Sequence, residues 1–443
     1  MQHQVKGSVT ATNNHDYLSH KFEVPEGATR LDIDFQYSPK RTGNYGNLLT
    51  LSLFDPSIER GTGHRGQPTQ HITISASEAT PGYTPGALQP GTWDVMVNCN
   101  LVNPGAVVEY QFEIVIGFEA QPAPVPAPAR GSTKPRGAGW YRGDLHGHTI
   151  HSDGHWDCDG LLGFAQQHQL DFISLTDHNT MSALAQMDSL SSDDLLTMGG
   201  FELTTFYGHA LALGIRTPID WRVRPGRTMT DIRAEIEAAG GLFIIAHPAC
   251  PGDPICTGCH WDYFDLMPGN AALVEVCNEQ WGSGSNNPGA VELWYEWLNT
   301  GHHLYATVGT DIHGPNEQEF AFNVVYAQGL AEKAILDALR LGHSYLSSGP
   351  QLEFTGRSPS GATAMVGDSL SGDTCELSIR WSDLRDGDCI RVMVDGQPKQ
   401  EWTPNGDGQH IWSLSGSHWC VIEVRDGLGN MRALTNPIFV GAG

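Results

Sequence analysis

Apolar and polar positions alternate along the first part of the chain in short runs: HKFEVPEG, RLDIDFQY, LLTLSLFDP, HITISA, TWDVMVN and VEYQFEIVIGF. A period of two puts every second side chain on one face of a strand, and the Gly and Pro residues between the runs supply turns. Residues 1–120 are therefore expected to form an antiparallel β-sandwich with an accessory role. In QPAPVPAPARGSTKPRGAG, residues 121–139, Pro, Ala and Gly displace the alternation, which predicts an extended linker. Between 140 and 350 the grammar changes. Apolar runs that end in polar residues (LDFISLTDH, GLFIIAHP, ALVEVCN, LYATVGTDIH) alternate with helical stretches (TMTDIRAEIEAAGG, VELWYEWLNTG, AEKAILDALRLG). In the first of these helices a Thr is placed to cap the N-terminus and a Gly pair to end it. Such alternation predicts an α/β core with largely parallel strands. From 351 to 443 the period of two returns in CELSIRWSDL, CIRVMVDGQPK, HIWSLSG, WCVIEVRDGLGN and ALTNPIFV, with hairpin turns at VDGQ and RDGLGN, so a second β-sandwich is expected.

Composition narrows the class. A chain of 443 residues calls for two or three cores, and 40% hydrophobic residues suffice to fill them. The formal net charge of −25 would repel a phosphate backbone, so nucleic acid is not an expected partner. Divalent cations would reverse the sign inside a pocket, which keeps small anionic substrates open. No apolar stretch has the length of a signal peptide or a membrane span, giving the expectation of a soluble, cytoplasmic protein without membrane contact. Nine cysteines, an odd number without a framework, suit reduced thiols. The same reading covers Cys250, Cys256 and Cys259 of PACPGDPICTGCHWDYF, where a single CxxC is a weak metal or redox signal.

Chemistry concentrates at the strand ends. DLHGHTIHSDGH places His146 and His148 two apart, so both imidazoles project to one side of an extended segment. One HxH is as compatible with an ordinary strand end as with a metal site. LTDHNT adds Asp177 and His178, GFELTTFYGHALALG adds Glu202 and His209, IIAHP adds His247, and VGTDIHG adds Asp311 and His313. Five strand ends carrying imidazole or carboxylate would be costly in a core without partners. The donors outnumber one tetrahedral site, which implies more than one metal ion.

DLHGHTIHSDG, LTDHNT, GFE, IIAHP and GTDIHG resemble, in this order, the polymerase and histidinol phosphatase (PHP) family of metallohydrolases. The spacing and the C-terminal segment look closest to its carbaryl-hydrolase-like (CehA/McbA) subgroup. The resemblance covers roughly Trp140 to Pro350. It implies a distorted seven-stranded (β/α) barrel flanked by the two sandwiches, with two or three divalent ions (Mn, Zn or Fe) at its rim. Carried over by motif, His146, His148, Glu202 and Asp311 would hold a first ion. Glu202, His209 and His247 would hold a second, with Glu202 as the bridge, and Asp153, His178 and His313 a third. Asp144 and Asp177 would orient imidazoles from behind, or else act as turn-forming acids.

Two cations sharing a carboxylate can lower the pKa of a water between them and offset charge on substrate oxygens. The expected activity is hydrolysis of a phosphoester. Hydrolysis of a carbamate or carboxylic ester, implied by the closer subgroup, is the alternative, with loop aromatics such as Trp261, Tyr263 and Trp281 as an apolar wall. A non-catalytic metal-binding or scaffolding protein is the alternative of another class. Asp311, Glu202, His178 and His313 are the expected reaction-centre residues. Arg142, His155 and His260 are the candidate proton donors, each also readable as a surface residue.

Overall fold

The computed structural model describes residues 1–441 apart from Gln121, Val125, Asp265, Leu266, Asn270, Asp373 and Ser417. The expected linker and second sandwich thus include a few positions outside the described residues. Strands dominate, and five α-helices occur among the described residues. None of these helices is long and apolar enough to cross a membrane.

The N-terminal runs fold into two four-stranded antiparallel sheets. One has the order Gln2–Thr10, Val107–Gly117, Arg30–Ser38, Thr69–Ser75, and the other Tyr17–Val24, Gly91–Leu101, Leu48–Phe54, Glu59–Gly63. Alternation does what the sequence pattern predicts: Leu31, Ile33, Phe35 and Tyr37 turn inward from one strand and meet Trp93, Val95 and Val97 of the facing sheet.

Most of the remaining strands belong to one 15-stranded mixed sheet. Seven run consecutively across it: Tyr305–Gly309, Leu273–Asn278, Leu242–Ile245, Gly208–Leu213, Leu196–Thr205, Phe172–Leu175 and Gly139–Asp144. A bridge between Gly147 and Ile312 brings the extension of the last of these against that of the first. Pairing is parallel except at Gly208–Leu213, which is antiparallel to both neighbours. The cause is local: only Phe206 and Tyr207 separate it from Leu196–Thr205, too few residues for a crossover, so the chain turns back as a hairpin.

Helices cover the sheet with their apolar stripes. Met229–Ala238 buries Met229, Ile232 and Ile236, and it starts at a capping box in which Thr228 and Asp231 bond each other's backbone N–H. Asn287–Asn299 buries Trp294 and Leu298, and Trp294 Nε1 donates to Leu304 O at 2.9 Å.

The sheet continues past residue 350. Ser344–Ser347 pairs with Met431–Thr435, which leads into His418–Arg425, Cys389–Val394 and Gln397–Trp402. A separate four-stranded antiparallel sheet of Thr363–Met365, Gln351–Arg357, Thr374–Ser382 and Gly408–Ser415 packs on these strands. One hydrophobic cluster joins all three segments, running from Met96 through Trp261 and Trp294 to Trp419, Val421 and Leu434. The segments therefore pack as one unit.

Candidate metal centre

Backbone hydrogen bonds bring the ionisable strand ends together. Asp311 N donates to His146 O (3.0 Å) and His148 N to Ile312 O (2.9 Å), which fixes the HxH segment beside Asp311. Glu202 N donates to Thr176 O (3.1 Å) and Asn179 N to Glu202 O (2.9 Å), tying His178 to Glu202. The hairpin sets Thr204 opposite His209, so Glu202 and His209 share a face. Ala246 N donates to His209 O (3.1 Å), which places His247 beside both. His247 (φ +30°) and Asp311 (φ +50°) adopt the left-handed region. For non-glycine residues this costs about 1–3 kcal/mol and persists where the surroundings impose it.

The side chains converge on a common space. His146 Nε2 lies 3.2 Å from Glu202 Oε2 and 3.3 Å from Asp311 Oδ1, while His148 Nε2 lies 2.8 Å from Asp311 Oδ1. These four residues each offer a donor atom within 4.8 Å of the others. His178, Glu202 and His209 form a second such group, and His148, Asp153, His178 and His313 a third. Glu202 faces two ways: Oε2 points to His146, His148 and His178, and Oε1 lies 3.0 Å from His209 Nδ1 and 3.1 Å from His247 Nε2.

The inner atoms have no hydrogen bonds. His146 Nε2, His148 Nε2, His209 Nε2, Glu202 Oε2, Asp311 Oδ1 and Asp153 Oδ1 are all buried without a hydrogen-bonding partner. Buried polar atoms are rarely left this way, and a cluster of nitrogen and oxygen lone pairs aimed at one space is what divalent cations require. The residues present therefore fit metal ions.

The outer nitrogens, by contrast, are held. His146 Nδ1 lies 3.1 Å from Glu275 Oε1, His313 Nδ1 2.7 Å from Asp311 O, His247 Nδ1 3.1 Å from Cys259 O, and His178 Nδ1 2.6 Å from Thr204 Oγ1. Such bonds fix tautomer and ring direction. Glu275 was missed by sequence reasoning, although its signal was present: a carboxylate between valines in ALVEVCN, wholly buried. It also accepts from His247 N and from Asn278 Nδ2, each at 3.1 Å. Neither Asp144 nor Asp177 bonds an imidazole directly, although the Ser152 hydroxyl that donates to Asp177 lies 3.5 Å from His148 Nδ1. Asp144 accepts from Thr310 N, and Asp177 from Thr149 N and from the Thr149 and Ser152 hydroxyls, so both tie neighbouring strand ends together.

Electrostatics bind the cluster into a charged network. Burial would raise the Glu202 carboxyl, but His178, His146 and His209 outweigh it and hold it well below the usual range. Asp311 and Asp153 are lowered in the same way, against burial, by their imidazole neighbours. Burial would lower His146 and His178, yet the surrounding carboxylates hold both well above the ordinary value. His313, opposed by burial and raised by Asp153 and Asp311, is pushed up to about 9. Asp153, His313 and Asp311 form the accessible edge, with side-chain exposures of 32%, 34% and 18%.

Three expected proton donors lie elsewhere. Arg142 donates to His168 O (2.8 Å) and stacks its guanidinium on Phe322, because its position in the strand turns it toward the helix Cys158–Gln167. His260 is half-exposed, with Nδ1 3.2 Å from Cys250 O. His155 is exposed and only its backbone N–H reaches the site, donating to His313 O. Trp261 and Tyr263 are core residues packed against each other, and Trp281 is partly buried beneath Arg425. Cys256 and Cys259 are joined as a disulfide, in place of the reduced thiols expected. The bond ties up the sulfur that would otherwise complete a group with His209 and His247.

One imidazole comes from outside the expected set. His64, in the loop after Glu59–Gly63 of the N-terminal sheets, packs its ring 4.4 Å from that of His178. Burial, with His178 adding to it, holds the His64 imidazole down to about 3. Nothing in GTGHRG marks it in the sequence.

No family model matches the chain, and no curated protein matches it. Among solved structures it is similar to a two-domain protein from Bacteroides vulgatus containing a predicted PHP-like metal-dependent phosphoesterase. That alignment has 16% identity and a TM-score of 0.41, and covers 72% of this chain and 100% of that one. It is also similar to an amidohydrolase from Chromobacterium violaceum (18% identity, 40% of this chain and 88% of that one, TM-score 0.30). A candidate metal-dependent phosphoesterase from Bifidobacterium adolescentis aligns at 14% identity over 42% of this chain and 90% of that one, with a TM-score of 0.29. Alignments this loose carry neither activity nor substrate across, and the functional reading rests on the chain's own residues.

Proposed function

We propose that this chain is a metal-dependent hydrolase of phosphoesters, built on a seven-stranded PHP-type barrel between two accessory β-sandwich regions. The observation that carries the reading is the set of six buried, unpartnered donor atoms from His146, His148, Asp153, Glu202, His209 and Asp311. Divalent ions bound there would supply a nucleophile from water at neutral pH and offset charge on phosphoryl oxygens. His146, His148 and Asp311 would hold the first ion, and Glu202 would join it to a second lined by His209 and His247. Asp153, His178 and His313 would hold a third at the accessible edge, where an ester would enter. Three carboxylates facing three divalent ions leave the pocket positive, which suits an anionic substrate despite the net charge of −25.

Burial of Trp261 and Tyr263 in the core favours phosphoester over aryl carbamate, since these rings cannot also line an apolar substrate wall. Rates on p-nitrophenyl phosphate, bis-p-nitrophenyl phosphate and naphthyl methylcarbamate test the reading. Turnover of a phosphate ester is expected. A rate above background only on the carbamate would transfer the assignment to the carbaryl-hydrolase type. Protein that takes up no Mn, Zn or Fe and turns over none of the three would be a scaffold.

A further inference from the structure

His64 belongs to the N-terminal sheets, yet its ring sits at the metal centre against His178. We infer that His64 is a substrate-contacting residue, donating a hydrogen bond to an oxygen of the anionic ester beside the third metal position. The inference rests on the hydrolase reading and extends it: the N-terminal sandwich would complete the active site.

Three observations converge on this role. First, the imidazoles of the cluster have their outer nitrogens engaged, whereas among the described residues neither ring nitrogen of His64 has a hydrogen-bond partner. Second, His64 is absent from the donor groups that converge within 4.8 Å, although its ring neighbour His178 belongs to two of them. It stands beside the metal position without joining it, which is where a bound ester would lie. Third, the loop and the strand leading into it are tied to the segments that carry Asp153 and His178, directly through Arg65 and indirectly through the turn at Gly82, whose O accepts from Thr62 N (3.2 Å). Arg65 Nη2 donates to Ile150 O (2.9 Å), Gly82 N to Ser182 Oγ (3.1 Å), and Thr180 Oγ1 to Gly82 O (2.8 Å). Glu59, at the start of the same strand, accepts from Trp221 Nε1 at 2.9 Å.

The approach is close enough to demand glycine. A Cβ on Gly82 (φ +94°) would lie 2.7 Å from His151 O, and one on Gly61 (φ +130°) 2.2 Å from Gly82 O. This tight packing seats the strand that leads to His64 against the turn at Gly82 and, through it, against His151. An imidazole so held offers a ring N–H beside the cluster, a preorganised contact for an anionic oxygen.

The test uses full-length, Mn-loaded wild type, His64→Ala and His64→Gln. Metal content is measured by plasma mass spectrometry, inorganic phosphate affinity by calorimetry, and kcat and KM on the best phosphate ester. Loss of a hydrogen bond to a charged group predicts phosphate binding and kcat/KM about 10–100-fold weaker in His64→Ala. His64→Gln, which restores an N–H donor, should recover most of both, with the metal content of all three proteins the same. A metal content lower by one ion in His64→Ala would make His64 a ligand and overturn the inference. So would phosphate affinity and kcat/KM equal to wild type, or a His64→Gln protein as impaired as the Ala variant. If wild type binds phosphate through His64 but hydrolyses no ester, the hydrolase reading falls while the contact stands.

Discussion

Nδ1 of His146 lies 3.1 Å from Oε1 of Glu275, in a pair of side chains that are both wholly inaccessible to solvent. The carboxylate occupies the ring's outer nitrogen, so Nε2 must face Glu202 and Asp311. Carboxylates behind ligating imidazoles also raise their basicity, and losing one typically costs about 10–100-fold in metal affinity. Glu275→Gln should therefore weaken the first metal position by about that factor in competition with a chelator. Glu275→Ala should in addition destabilise the protein by about 1–3 kcal/mol, because His247 N and Asn278 Nδ2 lose a buried acceptor. Unchanged metal affinity in Glu275→Gln would remove Glu275 from the site.

Glu202 and Asp311 should separate by stoichiometry. Asp311 belongs to one donor group and Glu202 to two. Metal analysis after reloading should show Asp311→Ala short of one ion and Glu202→Ala short of two, with turnover at background in both. Equal losses would mean that Glu202 does not bridge.

The pH dependence follows from the histidines. With folded values above the ordinary 6.5, His146, His178 and His313 stabilise the metal-free protein fully below about pH 6.5. That contribution is lost as pH rises through the folded values, about 9 for His313. Chelator-treated protein should accordingly melt at falling temperature from pH 6.5 to 9.5. Metal-loaded protein should not, since cations replace those protons. Near pH 7, metal binding should release protons, measurable by calorimetry in buffers of different ionisation enthalpy. Metal uptake without proton release would contradict the charged network.

Residues 351–441 hold the central sheet as well as their own. Asn436, fully buried, accepts from Ala306 N (2.7 Å) and donates to Ala306 O (3.2 Å) and Ser344 O (3.0 Å). Asn436→Ala should lower stability by about 1–3 kcal/mol in a denaturant titration. Truncation after residue 350 should aggregate, because Ser344–Ser347 loses its partner Met431–Thr435 and becomes an open edge. A soluble truncated chain with native melting behaviour would refute this.

Period-two patterning was enough to show the N-terminal sheets, where Leu31, Ile33, Phe35 and Tyr37 reach the core from alternate positions. The convergence of imidazoles and acids was legible for a related reason: such groups at the ends of apolar runs have few other uses. Local signals failed where tertiary structure decides. Gly208–Leu213 reads as one more buried run, and only the two-residue turn before it makes it antiparallel. Arg142 adjoins the motif in sequence but faces a helix. His64 comes from a loop about 80 residues before the HxH, with no pattern around it, and reaches the site only because the N-terminal sheets dock there. The continuity of one sheet across residue 350 was equally hidden, since pairing partners cannot be read from alternation.

The most direct measurement is phosphoester turnover by chelator-stripped protein as Mn²⁺ is added back, with bound ions counted at each step. Activity should be absent without metal, rise with loading and reach a plateau at two or three ions per chain. Turnover that persists in stripped protein, or none at full loading, would contradict a metal-dependent phosphoesterase.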